Sequence, residues 1–269
     1  MTKATVLAAL FLVSGFGPCQ SPAIAANRCS QIQGTPDGEL LLFGEMHGSI
    51  EAPALIVQLA CFLSRSQHVA VGLELPSKDQ SLIDAYLVSN GTSSDQQKLT
   101  SSEFWQFGRD GRSSSAMLKL IENIRVLKKR GHPTDLFAFD DQPGTKLERN
   151  IAIANGIRRF HTSHPTTKII ALMGNIHAME DPIHLGGREV VPSGSLLHDL
   201  HPTSILIAYP RGTIWACMPT CGSHDLKAVG GETGALGFRE GSPMGGYTYT
   251  YYLRSITASP PAVQKVHSG

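Results

Sequence analysis

The chain carries no excess of charge of either sign. Its 23 lysines and arginines stand against 22 aspartates and glutamates over 269 residues, a formal net charge of +1. The basic residues form no runs, so nothing offers an electrostatic footprint to a nucleic acid, and that class of partner is excluded. Beyond the N-terminal stretch, no segment is apolar for long enough to cross a bilayer. The sequence also lacks a G-x-S-x-G nucleophile elbow, a P-loop and a dinucleotide fingerprint, which removes the commonest serine, nucleotide and nicotinamide chemistries, and it carries no diagnostic metal motif such as H-E-x-x-H. No paired C-x-x-C is present, so a structural zinc cluster is disfavoured.

The N-terminus must be set apart. "MTKATVLAALFLVSGFGPCQSPAIAA" has a single charge, Lys3, an apolar run from Val6 to Phe16, and the small-residue end Ala23-Ile24-Ala25. Residues 1–25 therefore read as a secretory signal peptide with cleavage before Ala26, and the protein is expected to be secreted or periplasmic. Pro18 immediately before Cys19 makes a poor lipidation site, so a lipoprotein is disfavoured. Without Lys3 the balance becomes 22 against 22. About 240 residues remain, enough for one large α/β domain over 26–258, with 259–269 read as a disordered tail.

Four cysteines follow the signal: Cys29, Cys61, Cys217 and Cys221. An even number in an oxidising compartment suggests two disulfides. Cys217 and Cys221 flank "MPT", whose proline favours a turn, so a local bridge fits there; Cys29 with Cys61 would then tie the mature N-terminus to the first helix. Four cysteines allow three pairings, and spacing alone does not choose among them.

Apolar runs of strand length alternate with amphipathic segments. "ELLLFGE", "VAVGLEL", "TDLFAFD", "TKIIALMG" and "TSILIAYP" read as five buried strands. "EAPALIVQLACFLSRS", "SKDQSLIDAYLVSNG" with a serine cap, "SSSAMLKLIENIRVLKKRG" and "GTKLERNIAIANGIRRF" read as helices, the last with Leu147, Ile151 and Ala154 on one face. Alternation of this kind implies an α/β fold, a mainly parallel central sheet with helices on both faces. Past residue 210 the pattern changes. "GTIWACM" and "YTYTYYLRS" look like strands without helices between them, an antiparallel edge, and the glycine-rich segment separating them reads as a long surface loop.

In parallel α/β sheets ligands bind beyond the carboxyl ends of the strands. The first strand delivers Glu45 and His47 there, the second Glu74, the third Asp140 and Asp141, and the fourth Asn175 and His177. Each residue has a plainer use. Asp140 or Asp141 could satisfy backbone donors, and Glu51 sits where a carboxylate favours its helix dipole. Glu74 is harder to set aside, because its strand is apolar on both sides and a buried carboxylate needs a partner. His161, His164, His198 and His201 fall in polar helix ends or loops and read as solvated. Two chemistries suit the strand-end set. Either His47 or Glu45 acts as general base toward water, with His177 and Glu74 orienting it and binding substrate. Or Glu45, His47 and His177 hold a divalent metal, zinc, manganese or iron, that lowers the pKa of a bound water.

"GEMHGSIEAP", "GLELP", "FAFDDQP", "ERNIAIAN" and "GNIHA" together resemble the superfamily that contains erythromycin esterases, ChaN-type haem-binding proteins and Tiki-type metalloproteases. The resemblance spans roughly residues 39 to 210. The opening is similar to the esterase pattern G-E-x-x-H-G, but with one residue fewer between glutamate and histidine, as in the ChaN and Tiki branches; "FAFDDQP" resembles the esterases again. The resemblance implies that Glu45, His47, Glu74 and His177 line the site and that Arg149 reaches it from the helix before the fourth strand. It implies metal-free water activation by His47 in one branch, metal-dependent proteolysis in another, and haem binding without turnover in the third. The resulting expectation is an exported hydrolase acting on a small-molecule or peptide substrate, with catalytic His47, Glu45, Glu74 and His177, and with Glu51, Arg149, Asp140 and Asn175 binding substrate. Its rival is a haem- or metal-binding protein without catalysis.

Overall fold

The computed structural model describes residues 29–108, 110–141, 146–231 and 236–263; the signal-peptide reading of residues 1–25 lies outside them. Five strands form where the apolar runs stand: β1 (Leu40–Glu45), β2 (Val69–Pro76), β3 (Thr134–Asp140), β4 (Lys168–Gly174) and β7 (Thr203–Ala208), with short β5 (Ile183–Leu185) and β6 (Arg188–Val190) pairing between the last two. Alternate side chains of β1 show why such strands need cover on both sides. Leu41 and Phe43 enter one core, against α1 (Glu51–Leu63), α2 (Gln80–Val88) and α5 (Ser115–Lys129). Leu40 and Leu42 enter the other, against α6 (Lys146–Ser163) and α7 (Asn175–Ala178). Each fully buried Leu or Phe contributes about 1.5–3 kcal/mol, and these strands are buried throughout.

After β7 come β8 (Gly212–Cys217), β9 (Cys221–Leu226), β10 (Gly237–Glu240) and β11 (Tyr249–Tyr252). The main sheet has seven strands in the order β10-β11-β7-β1-β4-β2-β3. All neighbours are parallel except β10 and β11, which form an antiparallel edge. The fold is therefore mixed α/β, as expected. The four strands singled out for their polar ends, β1, β4, β2 and β3, are adjacent.

Several details differ from the sequence reading. "GTIWAC" is not part of the sheet edge: β8 pairs with β9 in a separate hairpin. The glycine-rich stretch holds β9 and β10 rather than one long loop. Two short helices were not anticipated, α3 (Ser93–Leu99), closed by a Thr92–Asp95 capping box, and α4 (Glu103–Phe107). Their polar composition and brevity hide any helical period. Ser77 does not cap α2; it lies in a 3-10 turn and bonds Asp141. On α6 the buried face is Ile153, Ala154 and Ile157, and Ile151 is exposed. α8 (Ser193–Leu196) precedes β7. The segment read as the start of a disordered tail is packed as far as residue 263. Ser259 is buried, its amide bonds the Gly48 carbonyl, and its hydroxyl accepts from the Ala116 amide. Serine and proline made this stretch look unstructured, but its backbone groups find partners on the loop after β1 and on α5.

Both disulfides form, Cys29–Cys61 and Cys217–Cys221. Among the described residues no helix is long and apolar enough to cross a membrane. Loop closure makes the two bridges unequal. A sequence separation of 32 corresponds to about 3–4 kcal/mol of lost unfolded-state entropy, and a separation of 4 to about 2 kcal/mol. Replacing Cys29 and Cys61 together by serine should lower the guanidinium midpoint more than replacing Cys217 and Cys221, with both double variants compared at neutral pH.

Candidate active site

Glu45 closes β1 and is buried; two residues on, the His47 ring turns back so that Nδ1 meets Glu45 Oε1 at 3.1 Å. The other ring nitrogen, Nε2, stands 3.4 Å from Oε2 of Glu74, at the end of β2. His47 is thus held between two buried carboxylates. Gly174, the last residue of β4, leaves room for this: a Cβ there would lie 3.1 Å from His47 Nε2 and 3.4 Å from His177 Cδ2. Its amide donates to Glu74 Oε2 at 2.7 Å.

Glu74 is the hub. Its Oε1 accepts from Arg112 Nη1 at 3.2 Å and from Arg149 Nη2, and His177 Nε2 lies 3.9 Å away. Both arginines also bond Asp140 Oδ2, at 2.9 Å from Arg112 and 2.8 Å from Arg149. Asp110 clamps Arg112 from outside, through Nε at 2.9 Å and Nη2 at 2.6 Å. The loop carrying Arg112 comes close because two glycines touch. Gly111, at φ +84°, would place a Cβ 2.3 Å from Gly48 Cα, and Gly48, at φ +91°, would place one 2.3 Å from the Trp215 carbonyl of β8. Three segments therefore meet backbone to backbone over His47.

His177, on the single turn of α7, is held differently. Its Nδ1 lies 2.6 Å from Asn150 Oδ1, which also accepts from Ser193 Oγ, while Asn150 Nδ2 donates to the Val191 carbonyl. With Asn150 oriented this way Nδ1 carries the proton, and Nε2 is left as an acceptor.

The environments drive the two imidazoles apart. Burial opposes charge on His47, but Glu74 and Glu45 outweigh it and push its pKa up to about 10. Burial pushes the His177 imidazole below its ordinary value, with Glu74 only partly opposing. Burial likewise resists charge on Glu74, yet His47 and Arg112 hold its carboxyl well below the usual range. Burial raises Glu45, and His47 offsets only part of that. At neutral pH the cleft presents one imidazolium and one neutral imidazole.

These groups line a cleft of about 330 Å³ at the carboxyl ends of the strands, whose opposite wall is Ile214, Ala216, Cys217 and Met218 of the β8–β9 hairpin. Of the residues expected from sequence, Glu45, His47, Glu74, Arg149, Asn175 and His177 line it. Asp140 is fully buried behind it, bonded to the two arginines. Asn175 turns its side chain to Met46 Sδ and to the Ile176 amide. Glu51 is elsewhere: it accepts from the Thr257 amide at 2.7 Å, so it does not reach the cleft. Sequence reasoning missed Asp110, Arg112 and Asn150. Asp110 and Arg112 sit on a loop rather than a strand end, and the glycine between them is the available signal; Asn150 lies inside "ERNIAIAN", where nothing local marks it.

Glu45, His47 and His177 do not fit a metal ion as they stand. Among the described residues no group of three His, Cys, Asp or Glu side chains is arranged to hold one. His47 Nδ1 is engaged by Glu45, and two guanidinium groups already occupy Glu74.

The same architecture is found among solved structures. An erythromycin esterase variant, EreC in its open conformation, superposes with a TM-score of 0.59 at 10% identity, over 85% of this chain and 93% of that one. The chain has an erythromycin-esterase-like fold. A Bacillus cereus protein matches with a TM-score of 0.60 at 10% identity, covering 83% of this chain and 90% of its own. A protein described as acting in succinoglycan biosynthesis matches at 0.54 and 9% identity, over 83% and 89%. No protein-family model and no curated protein sequence matches the chain. At these identities the likeness is one of fold, and the chemistry has to come from this chain's own cleft.

Two outcomes are expected of the charge cluster. Arg112→Leu removes one of the two guanidinium groups that buried Glu74 and Asp140 share and should cost about 3–5 kcal/mol in guanidinium unfolding; Arg149→Leu, at a more exposed position, should cost about half as much. The His47 pKa is raised, so the stability its charge contributes is complete below its ordinary value of 6.5 and is lost as pH climbs through about 10. Nitrogen-15 NMR titration of the two rings should find His47 protonated and His177 neutral at pH 7.5.

Proposed function

We propose that the chain is an exported hydrolase of esters or amides, in which His177 accepts a proton from water and His47 donates one to the leaving group. One observation carries this reading: two histidines share a cleft, and the carboxylates around Glu74 make one a cation while burial keeps the other neutral. Groups driven apart in this way are suited to be an acid and a base. The sequence suggested His47 or Glu45 as the base; the electrostatics favour His177 instead, because an imidazole already protonated at neutral pH has no lone pair for water.

In the proposed reaction, water bound in the cleft attacks the substrate carbonyl carbon and gives its proton to His177 Nε2. The carbonyl oxygen takes up the electron pair beside Arg149, which is the more exposed of the two guanidinium groups. Collapse breaks the bond to the leaving oxygen or nitrogen, and the His47 Nε2 proton goes to that atom. Glu45 and Glu74 hold His47, and Asn150 holds His177. Ile214, Ala216 and Met218 give the substrate an apolar wall, which suits a small-molecule ester or a peptide with an apolar group near the cleaved bond. Export is supported by the two disulfides, which persist in oxidising compartments, and by the N-terminal sequence.

Chromogenic esters of graded acyl length and short peptides supply the assay. His47→Ala should reduce turnover by at least about a hundredfold while leaving the circular dichroism unchanged. Full turnover in that variant would remove His47 from the reaction. The pH profile of kcat/KM separates the roles. With His177 as base and His47 as acid it rises below pH 6.5, is flat near neutrality and falls as pH passes about 10. With His47 as base it would instead climb through about 10. Elemental analysis and an absorption spectrum of the same preparation test the alternative: a stoichiometric metal or a Soret band, with no turnover, would replace hydrolysis by metal or haem binding.

A further inference from the structure

Among the described residues two buried side-chain polar atoms have no hydrogen-bond partner, Glu45 Oε2 and the Tyr209 hydroxyl. They are close in the fold. Gly44 of β1 pairs with Leu206 of β7, so Glu45 is level with Ile207, and Tyr209 lies two residues further along. Side chains two apart on a strand share a face. Phe43 and Ile207 enter the same core, so Glu45 and Tyr209 continue one face of adjacent parallel strands. The Tyr209 ring is packed with Ile214, Ala216 and Ile256, with Met46 against them, and only 1% of the residue is exposed. Bulk water therefore reaches neither orphan.

Burying one unsatisfied polar atom costs about 1–3 kcal/mol, and more when it is charged. Two such atoms on neighbouring strand ends, one an obligate acceptor when ionised and the other a hydroxyl donor, complete each other. We infer that Tyr209 is a positioning residue, whose hydroxyl is linked through one buried water to Oε2 of the ionised Glu45, so that Oε1 stays on His47 Nδ1. The carboxylate is near enough that, after burial, its charge contributes to pushing the Tyr209 phenol up. A chain Tyr209–Glu45–His47 would then set the direction in which His47 Nε2 presents its proton. The catalytic side of this inference rests on the hydrolase reading; the hydrogen-bonded link itself does not.

The test uses the full chain and Tyr209→Phe, which removes the hydroxyl and keeps the ring. With the chromogenic ester, kcat should fall about tenfold while KM stays within twofold, because Tyr209 touches no substrate. A rise in KM with unchanged kcat would overturn the positioning role. A second measurement needs no substrate. Guanidinium midpoints are taken for the wild type, Tyr209→Phe, Glu45→Gln and the double variant. Coupling predicts that Tyr209→Phe shifts the midpoint by clearly different amounts in the two backgrounds. Equal shifts would mean that the groups do not interact, and the inference would fall. If wild type hydrolyses nothing but the midpoints are coupled, the hydrolase reading fails and the hydrogen-bonded link stands.

Discussion

A carboxylate that is 3% exposed at the end of an apolar strand cannot stand alone, and much of this site follows from Glu74 needing partners. An ionised carboxyl taken from water without compensation costs several kcal/mol even after the protein relaxes. Glu74 is compensated by parts of the chain far apart in sequence: the amide closing β4, Arg112 from the loop before α5, Arg149 from α6, and His47 from the loop after β1. Satisfying one buried charge therefore gathers the loops into a cleft. Asp140 behind it shares both arginines.

The same arrangement gives two identical side chains opposite characters. His47 has carboxylates at both nitrogens, and the Coulombic gain exceeds the desolvation of an imidazolium. His177 has an amide oxygen at one nitrogen and a carboxylate oxygen no nearer than 3.9 Å at the other, with Arg149 and His47 adding positive charge nearby. Burial then decides, and the ring is neutral. No residue unusual in itself is required. The asymmetry comes from where Glu74 is placed relative to two strand ends.

Most of the sheet could be read from the sequence because its strands are apolar on both faces, a signal that survives without knowledge of neighbours. The four polar strand ends were legible because they follow such runs in succession, although each residue alone has a plainer use. What escaped depends on contacts distant in sequence. Arg112 sits on a loop whose position is set by Gly111 against Gly48, and nothing local says that those glycines meet. Glu51 looked like a site residue because it follows His47 closely, but the chain turns into α1 and carries it away to Thr257. The packed segment 258–263 has no apolar period, and its order comes from backbone pairing with Gly48 and Ser113.

The strand order explains why a cleft forms here at all. After β1 the chain lays β2 and β3 to one side, leaving a gap that β4 later fills, and β7 then takes the opposite flank. Because β4 lies between β1 and β2, Gly174 and His177 arrive between Glu45 and Glu74, and a strand end without a side chain at that position leaves room for His47 to fold over it. The connection that reverses direction at β1 is where open α/β sheets leave room for a ligand. At about 10% identity the fold alone says little about chemistry. In this chain, two imidazoles driven to opposite charge states and an apolar hairpin meet around one switch point.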